Sequence, residues 1–299
     1  MGIRVNPDVY SIILSGLQTN KQQEDRALQQ VSTGQKLNSL SDNPSGAATL
    51  VNLRTQSDAN TQYLQNITSL TGSLNVADSA LSSVVEALTA AQSVGVAGGG
   101  ATLNDLNRQA LAQQIQGIQQ QIMGLANTSY NGHYIFSGTA TTTRPYEADS
   151  SAASGVAYNG DSSSNSVEIS QGQAMPVNLP GSQLFSSATA SVFQSLQDLS
   201  NALNTNGDIT GATKEVQNAL TYVSTQQTFY GNAVDRLNNS QTFLTQEQMQ
   251  LTKAESATLE ADMASAVTDL VHAETVRQAL VQAGGKVSQT NLFDYLPSS

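Results

Sequence analysis

Residues that commonly carry enzyme chemistry are few in this 299-residue chain, and their spacing does not assemble a reaction centre. The two histidines, His133 and His272, lie far apart in the sequence, and neither belongs to a metal-binding spacing such as HExxH. His272 and Glu274 are two residues apart on a predicted helix, so their side chains point in different directions and cannot chelate one ion well. The chain has no cysteine, which excludes disulfides, thiolate metal sites and a thiol nucleophile.

The glycine run and the acidic pairs of the sequence also lack the patterns of catalytic or ligand-binding sites. The glycine run at 98–100 lacks the Lys and the Ser or Thr that follow the glycines of a phosphate-binding loop. The acidic pairs Glu24 with Asp25 and Glu260 with Asp262 are neighbours on predicted helices, where we expect them to form a solvent-exposed face. No nucleophile, base and orienting group can be nominated together. We therefore expect a protein that is not an enzyme and that needs no cofactor or metal.

Charge and composition exclude further classes. The chain carries 12 basic and 23 acidic residues, a net charge of −11, without a basic run, so a nucleic-acid backbone or an anionic membrane would repel it. We find no apolar stretch of the length that a membrane helix needs, and the apolar segment 9–17 lacks the basic lead and cleavage site of a signal peptide. Apolar residues make up 38% of the chain and Trp is missing, which favours a thin, soluble molecule over one with a thick core.

Two helices are predicted from apolar residues that alternate steps of three and four, the spacing of a coiled coil. The first spans about four heptads from Tyr63 to Ala91 and should end at the glycines of 95–100. The second should begin at Asn104 or Asp105. Its apolar positions are Leu111, Ile115, Ile118, Ile122 and Leu125.

Between Asn131 and Phe185 the pattern changes to short alternating runs. Strands are predicted around 134–136, 156–158, 167–169 and 177–179, and the pair Asn159-Gly160 is a strong hairpin-turn signal. The segment 138–185 is acidic and partly Ser-rich, so we expect it to be exposed and tolerant of change.

Helical spacing returns at 192–203 and again from Thr213, where about seventy residues without Pro predict one uninterrupted helix. We expect its partner to be the N-terminal segment. The predicted fold is therefore mainly α, with a long coiled-coil rod formed by the N- and C-terminal segments and a small β-rich inserted head. The expected domains are a terminal assembly region (1–45 with 253–299), a helical rod domain (46–137 with 186–252) and an outer insert (138–185).

The residue types of segment 32–46 predict a break between two helices, with a residue that ends the first helix and residues that can cap the second. Gly34 can end the first helix, and Asp42 or Asn43 can cap the next. The same segment resembles the N-terminal signature of the family that contains bacterial flagellins and flagellar hook-filament junction proteins, although a second Asp is more common where this chain has Asn43. The residues that carry the resemblance are Ser32, Gly34, Lys36, Leu37, Asn38, Asp42, Asn43, Pro44 and Gly46.

Two further segments resemble the hook-filament junction proteins more than the flagellins. One is the entry to the β-rich insert, which contains Gly132, Tyr134, Phe136 and Gly138, followed by Pro145-Tyr146. The other is the C-terminal run Leu292-Phe293-Asp294-Tyr295-Leu296, since flagellins usually end without the Asp-Tyr pair.

The resemblance implies a secreted structural component of the bacterial flagellum, exported unfolded through the type III apparatus and located at the hook-filament junction. Its implied partners are further copies in a homo-oligomeric ring, the other junction protein, flagellin and a cytoplasmic export chaperone. The terminal region would be disordered in the monomer and would form helices on assembly. The expected assembly contacts join Val5, Val9, Ile12, Ile13 and Leu17 to Leu270, Leu280, Leu292, Phe293, Tyr295 and Leu296.

Three alternatives stay open. The nearest is a flagellin that forms the filament itself. A secreted translocator acting on membranes would need a hydrophobic hairpin, which we do not find in the sequence. A hydrolase built on the β-rich insert is more remote, because that insert contains no His beyond its entrance.

Overall fold

The structure is a computed structural model that describes residues 7–39, 43–100, 103–188 and 190–293. Long helices dominate it and the strands are short, which confirms the predicted mainly α fold with a small β-rich part. The helices are α1 (Pro7–Thr33), α2 (Pro44–Gly98), α3 (Asp105–Ala126), α4 (Gly181–Leu184), α5 (Val192–Thr205), α6 (Ile209–Leu259) and α7 (Met263–Phe293). The strands are β1 (Ser129–Tyr130), β2 (His133–Tyr134), β3 (Tyr146–Ala148), β4 (Val156–Tyr158), β5 (Ser166–Ser170) and β6 (Gln173–Pro176).

The chain forms two compact units. We call residues 1–58 with 248–299 the terminal unit and residues 59–247 the central unit. The central unit contains all the described strands and the complete helices α3, α4 and α5. The three-domain division expected from the sequence stays a prediction.

The core of the central unit follows the predicted coiled-coil spacing. In α2 the positions Ile67, Leu74, Ala77, Leu81, Val84, Leu88 and Ala91 are buried, and the apolar side of α3 is buried at Ile115, Ile118 and Ile122. α3 packs against α5. Asn104 caps α3 as predicted, because its side chain accepts a hydrogen bond of 2.8 Å from the Asn107 amide.

One helix is more apolar than the sequence analysis allowed. An 18-residue window of α2 has a mean hydropathy of 1.3 and satisfies the length and composition of a membrane span. The expectation that no such stretch exists is therefore wrong. In this structure 44% of that window is buried. The helix supplies Leu81, Val84 and Leu88 to the core, and a core helix passes the same test of length and composition.

The strands form three separate antiparallel pairs, β1 with β2, β3 with β4, and β5 with β6. The predicted hairpin at Asn159-Gly160 is wrong, because β4 and β5 on either side of it do not pair with each other. Instead the Asn159 amide donates to the Pro145 carbonyl over 2.8 Å, and the Asp161 amide donates to the Ser137 carbonyl over 3.1 Å. These bonds direct the chain away from a tight reversal.

Other strand predictions also need correction. Residues 177–179 are not a strand, since β6 ends at Pro176, and of the predicted strand 134–136 only Tyr134 lies in a strand. The strands β1 and β3 lie outside the predicted ranges. The uninterrupted helix expected from Thr213 is also broken, because α6 ends at Leu259 and α7 begins at Met263. The Asp262 carboxylate caps α7 by accepting hydrogen bonds from the Ala264 and Ser265 amides, over 3.0 and 3.2 Å.

Candidate assembly surface of the terminal helices

Helices α1 and α7 pack together through small side chains. Ala27, Ala266 and Ala273 are buried in the terminal unit. Gly16 faces Leu280, because a Cβ added at Gly16 would lie 3.7 Å from the Leu280 Cδ2 atom. A Cβ added at Gly284 would likewise lie 3.6 Å from the Ile13 Cγ2 atom. Small residues let two helices approach closely, but they bury little apolar area.

Two polar contacts accompany this packing. The buried Asn20 side-chain amide donates a hydrogen bond of 2.8 Å to the Ala273 carbonyl. The guanidinium of Arg277 lies 3.1 Å from the carboxylate of Glu24. The ion pair is largely solvated, so its contribution to stability is about 0–1 kcal/mol. The buried amide is the stronger constraint on how α1 faces α7.

The terminal unit leaves large apolar side chains in solvent. Each member of this exposed set is at least 44% exposed within the chain. We call it the open apolar set, and it comprises Ile12, Leu14, Leu28, Val51, Met249, Met263, Val267, Val271 and Val281. Exposed apolar side chains of this number on adjacent helices are typical of surfaces that are covered in an assembly.

The structure places the predicted interface residues in three groups. Ile13, Leu17, Leu270 and Leu280 are half-buried in the described terminal unit, whereas Ile12 points into solvent. Val9, Leu292 and Phe293 belong to α1 and α7, but their side chains lie outside the described residues, as do Val5, Tyr295 and Leu296 entirely. Their role in assembly stays a prediction.

Sequence reasoning missed part of the exposed surface. The interface expected from the sequence, which on α7 includes Leu270 and Leu280, omits Val267, Val271 and Val281. Their spacing of four and then ten residues places them on one side of α7. A search for a second helical stripe could have found them.

The family-like segment after α1 joins two helix breaks in the terminal unit. Gly34 ends α1 with φ of +69°, a conformation that glycine adopts without strain. The Lys36 amide donates to the Leu259 carbonyl over 2.6 Å, and the Ala261 amide donates to the Gly34 carbonyl over 3.0 Å. The break between α1 and α2 is therefore bonded to the break between α6 and α7.

The remaining family residues of this segment support the same turn. The Asn38 side-chain amide donates to the Gln35 carbonyl over 2.9 Å. The Asn43 side-chain oxygen accepts from the Gly46 amide over 3.0 Å, so Asn43 caps α2 and Pro44 opens it. Asp42 lies outside the described residues.

The second family-like segment opens the β-rich part. Gly132 and the preceding Asn131 have φ of +82° and +51°, and they form the two-residue turn between β1 and β2. Tyr134 ends β2 and is half-buried. The buried Phe136 ring lies edge-on to Phe185, with ring centroids 5.4 Å apart.

The backbone conformation and the close neighbours of Gly138 leave room only for glycine. It has φ of +74°, and an added Cβ would lie 2.3 Å from the Asp161 Oδ1 atom and 2.4 Å from the Asp161 carbonyl oxygen. Hydrogen bonds from the Thr139 hydroxyl and amide and from the Ser163 amide hold the pKa of Asp161 below its usual range. These contacts fix a turn and do not present a reactive group.

The described part of the chain offers little for catalysis. It contains no group of three or more His, Asp or Glu side chains that could hold a metal ion. His133 and His272 are both exposed and belong to different units. The strongest raised pKa values belong to Tyr146 and Tyr230, whose burial in the core keeps the phenols neutral.

Comparison with known proteins agrees with this structural character. The model of the bacterial flagellin N-terminal helical region matches residues 8–141, and that of the flagellin C-terminal helical region matches residues 213–296. The chain belongs to the flagellin-like family of flagellar proteins. The resemblance inferred from the sequence signature is thereby confirmed.

Among curated relatives, this flagellin-like chain is 36% identical to flagellar hook-associated protein 3 of Salmonella typhimurium over 184 residues, which cover 61% of this chain and 56% of that protein. It is 31% identical to the Escherichia coli protein of the same name over 183 residues, with the same coverage. The chain thus spans little more than half the length of these relatives. Flagellin B of Helicobacter pylori is 30% identical over 144 residues, which cover 46% of this chain and 27% of that flagellin.

Solved structures support the fold of this flagellin-like chain. A hook-associated protein of Vibrio parahaemolyticus aligns with a TM-score of 0.67 and 22% identity, covering 73% of this chain and all of that structure. Hook-associated protein 3 of Legionella pneumophila aligns with a TM-score of 0.62 and 15% identity, covering 67% and 96% of the two chains. At these identities the likeness describes the fold alone.

Proposed function

We propose that this protein is a structural adaptor at the hook-filament junction of the bacterial flagellum, where it connects the preceding junction protein to the flagellin filament. One observation carries the proposal. The match to hook-associated protein 3 of S. typhimurium covers 56% of that protein, whereas the match to H. pylori flagellin B covers 27% of that flagellin. A protein with this role works by binding its neighbours and has no catalytic step.

The proposed partners are further copies of the chain in a ring, the preceding junction protein, flagellin and, before export, a cytoplasmic chaperone. The open apolar set supports this part of the proposal, because contacts with neighbours would remove those side chains from water. Burial of one such side chain stabilises an interface by about 1.5–3 kcal/mol, and a ring repeats each contact.

A deletion strain tests the proposed position in the flagellum. Without this protein, cells should build complete hooks but release flagellin monomers into the medium, because the filament has no surface on which to start. Expression of the wild-type chain from a plasmid should restore filaments. Normal filaments on the deletion strain would contradict the adaptor role.

A filament subunit is the second candidate, and it is favoured by the match of both flagellin helical-region models. Purified protein distinguishes the two roles. A filament subunit would elongate flagellar seeds into long filaments, whereas a junction adaptor would add to isolated hooks in a fixed number of copies and then stop. Long filaments of this chain alone would replace the adaptor proposal with the filament proposal.

The C-terminal residues give a sharper test of the assembly contacts. We expect the double variant Leu292→Asp with Leu296→Asp to be secreted as a folded monomer that cannot seat a filament, because charges would enter an apolar interface. The matched control is Ser288→Asp with Ser298→Asp, which adds the same charges at polar positions. Wild-type filament numbers in the leucine double variant would refute these contacts.

A further inference from the structure

The central unit contains a helix pair in which buried residues, most of them apolar, repeat every seven positions on each helix. In α2 the buried positions are Asn60, Ile67, Leu74, Leu81 and Leu88, and each is at most 3% exposed. In α6 they are Val216, Val223, Tyr230, Leu237 and Leu244, and each is at most 2% exposed. The Asn60 side-chain amide donates to the Leu244 carbonyl over 2.9 Å, which shows that these two stripes meet.

A strict repeat leaves the register of such a pair underdetermined. If α6 moved by seven residues along α2, or about 10 Å, buried positions would again meet buried positions. Most of the side chains on the two stripes are aliphatic, so their burial would change little. Side chains outside the stripes must therefore select the observed register. The hydrogen bonds from the Gln227 side-chain amide to Asp78 and Ser82 contribute to this selection directly between the two helices.

The β-rich segment contacts both helices at separate levels. On α2, the Asn66 side-chain amide donates to the Glu168 carbonyl over 3.2 Å. On α6, the Tyr222 hydroxyl donates to the Gln183 carbonyl over 3.0 Å, and the Tyr230 hydroxyl oxygen accepts from the Leu179 amide over 3.3 Å. If α2 and α6 slid along each other, the β-rich segment would lose its hydrogen bonds to at least one of the two helices.

The segment that makes these contacts is itself braced. The β5 and β6 strands pair with each other, and Ile169 and Met175 are buried in the core. The Gly181 amide donates to the Phe136 carbonyl over 2.7 Å. Residues 168–183 can therefore resist a sliding movement instead of following it.

We propose that residues 168–183 act as a register clamp, which holds α2 and α6 in one of the alignments that their seven-residue repeat permits. This role goes beyond the proposed adaptor function and does not depend on it. The β-rich segment then helps to specify the helical scaffold, in addition to forming an exposed surface.

Crosslinking tests the clamp in the full-length chain, which has no cysteine of its own. Gln227→Cys is combined in turn with Ser82→Cys, Asn75→Cys or Thr89→Cys. In the structure the Gln227 side-chain amide lies 2.8 Å from the Ser82 hydroxyl, so that pair reports the observed register. Asn75 and Thr89 are seven residues to either side and report the two slipped registers. A short thiol crosslinker should join only positions 82 and 227 in the otherwise unchanged protein.

The clamp is weakened by combining Asn66→Ala, Tyr222→Phe and Tyr230→Phe, which remove three of the side-chain partners and keep both rings. The longer contact of the Tyr63 hydroxyl with the Glu168 carboxylate, 3.4 Å, is left in place. We expect slipped crosslinks to increase about tenfold or more, because three hydrogen bonds that favour the observed register are lost. The control variant combines Thr68→Val with Thr221→Val, whose hydroxyl hydrogen bonds stay within their own helices. It should give the unmodified pattern.

Two results would overturn the clamp. One is a triple variant with native helical content by circular dichroism and no increase in slipped crosslinks. The other is an equal increase in the control, which would indicate general loosening of the helices. If the triple variant does not fold, Tyr230→Phe alone is measured, and an unchanged crosslinking pattern in that folded single variant also overturns the proposal.

Discussion

The central and terminal units use their apolar residues in opposite ways. The central unit buries a continuous cluster of aliphatic and aromatic side chains, including Phe136, Tyr146, Phe185 and Phe193. The described part of the terminal unit buries mainly alanines, with Leu251 as a larger exception, and exposes the open apolar set. The two units therefore differ in how much of their stabilisation is available within one chain.

This difference explains the low apolar fraction of the sequence. A chain that is 38% apolar can support a dense core in one unit if the other unit relies on neighbours for burial. Substitutions in the central unit should then act on the stability of the monomer. Substitutions on the exposed side of the terminal unit should act on assembly.

The largest expected effect is the loss of an aromatic ring from the central core. Phe185→Ala should lower the free energy of unfolding by about 3–5 kcal/mol, because the fully buried ring packs against Phe136, Tyr146 and Phe193. Val271→Ala in the terminal unit should change it by less than about 0.5 kcal/mol, since Val271 is exposed. Urea unfolding of purified monomers measures both. Equal losses would contradict the contrast between the units.

A glycine pair provides the next test within the central unit. Gly138→Ala should destabilise by more than about 2 kcal/mol, since the backbone has a positive φ and the new methyl group would meet Asp161. The control Gly117→Ala lies inside α3, where an added Cβ meets no heavy atom within 4 Å. It should stabilise by about 0.5–1 kcal/mol. If the two variants unfold alike, the turn at Gly138 is not constrained as described.

A smaller effect is expected at the one buried amide that the described terminal unit contains. Asn20→Ala should cost about 1 kcal/mol, because the hydrogen bond to the Ala273 carbonyl is lost. Hydrogen exchange should become faster at amides of α7 near Ala273 and stay unchanged in the central unit. The control Arg277→Gln removes a solvated ion pair and should have a weaker effect. Faster exchange throughout the chain would show that the units are not independent.

The smallest expected effect depends on pH. The pKa of Asp161 is lowered by hydrogen bonds from Thr139, so ionised Asp161 stabilises the folded state above its unfolded pKa of about 3.9. That stabilisation should be lost as the pH falls through the lowered folded value. Asp161→Asn should therefore be less stable than wild type at pH 7, and the difference should shrink near pH 2. A difference that is independent of pH would show that the charge of Asp161 contributes nothing.

Sequence periodicity was sufficient to predict helices α2 and α3, but it did not predict where α6 ends and α7 begins. The coiled-coil spacing predicted α2 and α3 because the same positions are buried by regular helix packing. The break at 260–262 contains neither Gly nor Pro, and it is held by hydrogen bonds to Gly34 and Lys36, more than 200 residues away in sequence. A local pattern does not contain such a contact.

The two Asn-Gly pairs show the same limit within the β-rich part. Asn131-Gly132 forms the tight turn between β1 and β2, whereas Asn159-Gly160 does not join two paired strands. The difference comes from hydrogen bonds to Pro145 and Ser137, which the dipeptide does not encode. The interface expected from the sequence also omits the exposed valines of α7, because it follows a single helical stripe that includes Leu270 and Leu280.

The most direct test of the account places charge on the open apolar set without disturbing the monomer. Val267→Asp with Val271→Asp changes two exposed residues of α7, and Val96→Asp with Leu106→Asp changes two exposed residues of the central unit as a control. Each variant is expressed in the deletion strain, and filaments per cell are counted by electron microscopy together with the unfolding midpoint of the purified monomer. We predict that the α7 variant keeps its midpoint but forms no filaments, while the control forms them normally. Normal filament numbers with the α7 variant would contradict the claim that this surface mediates assembly.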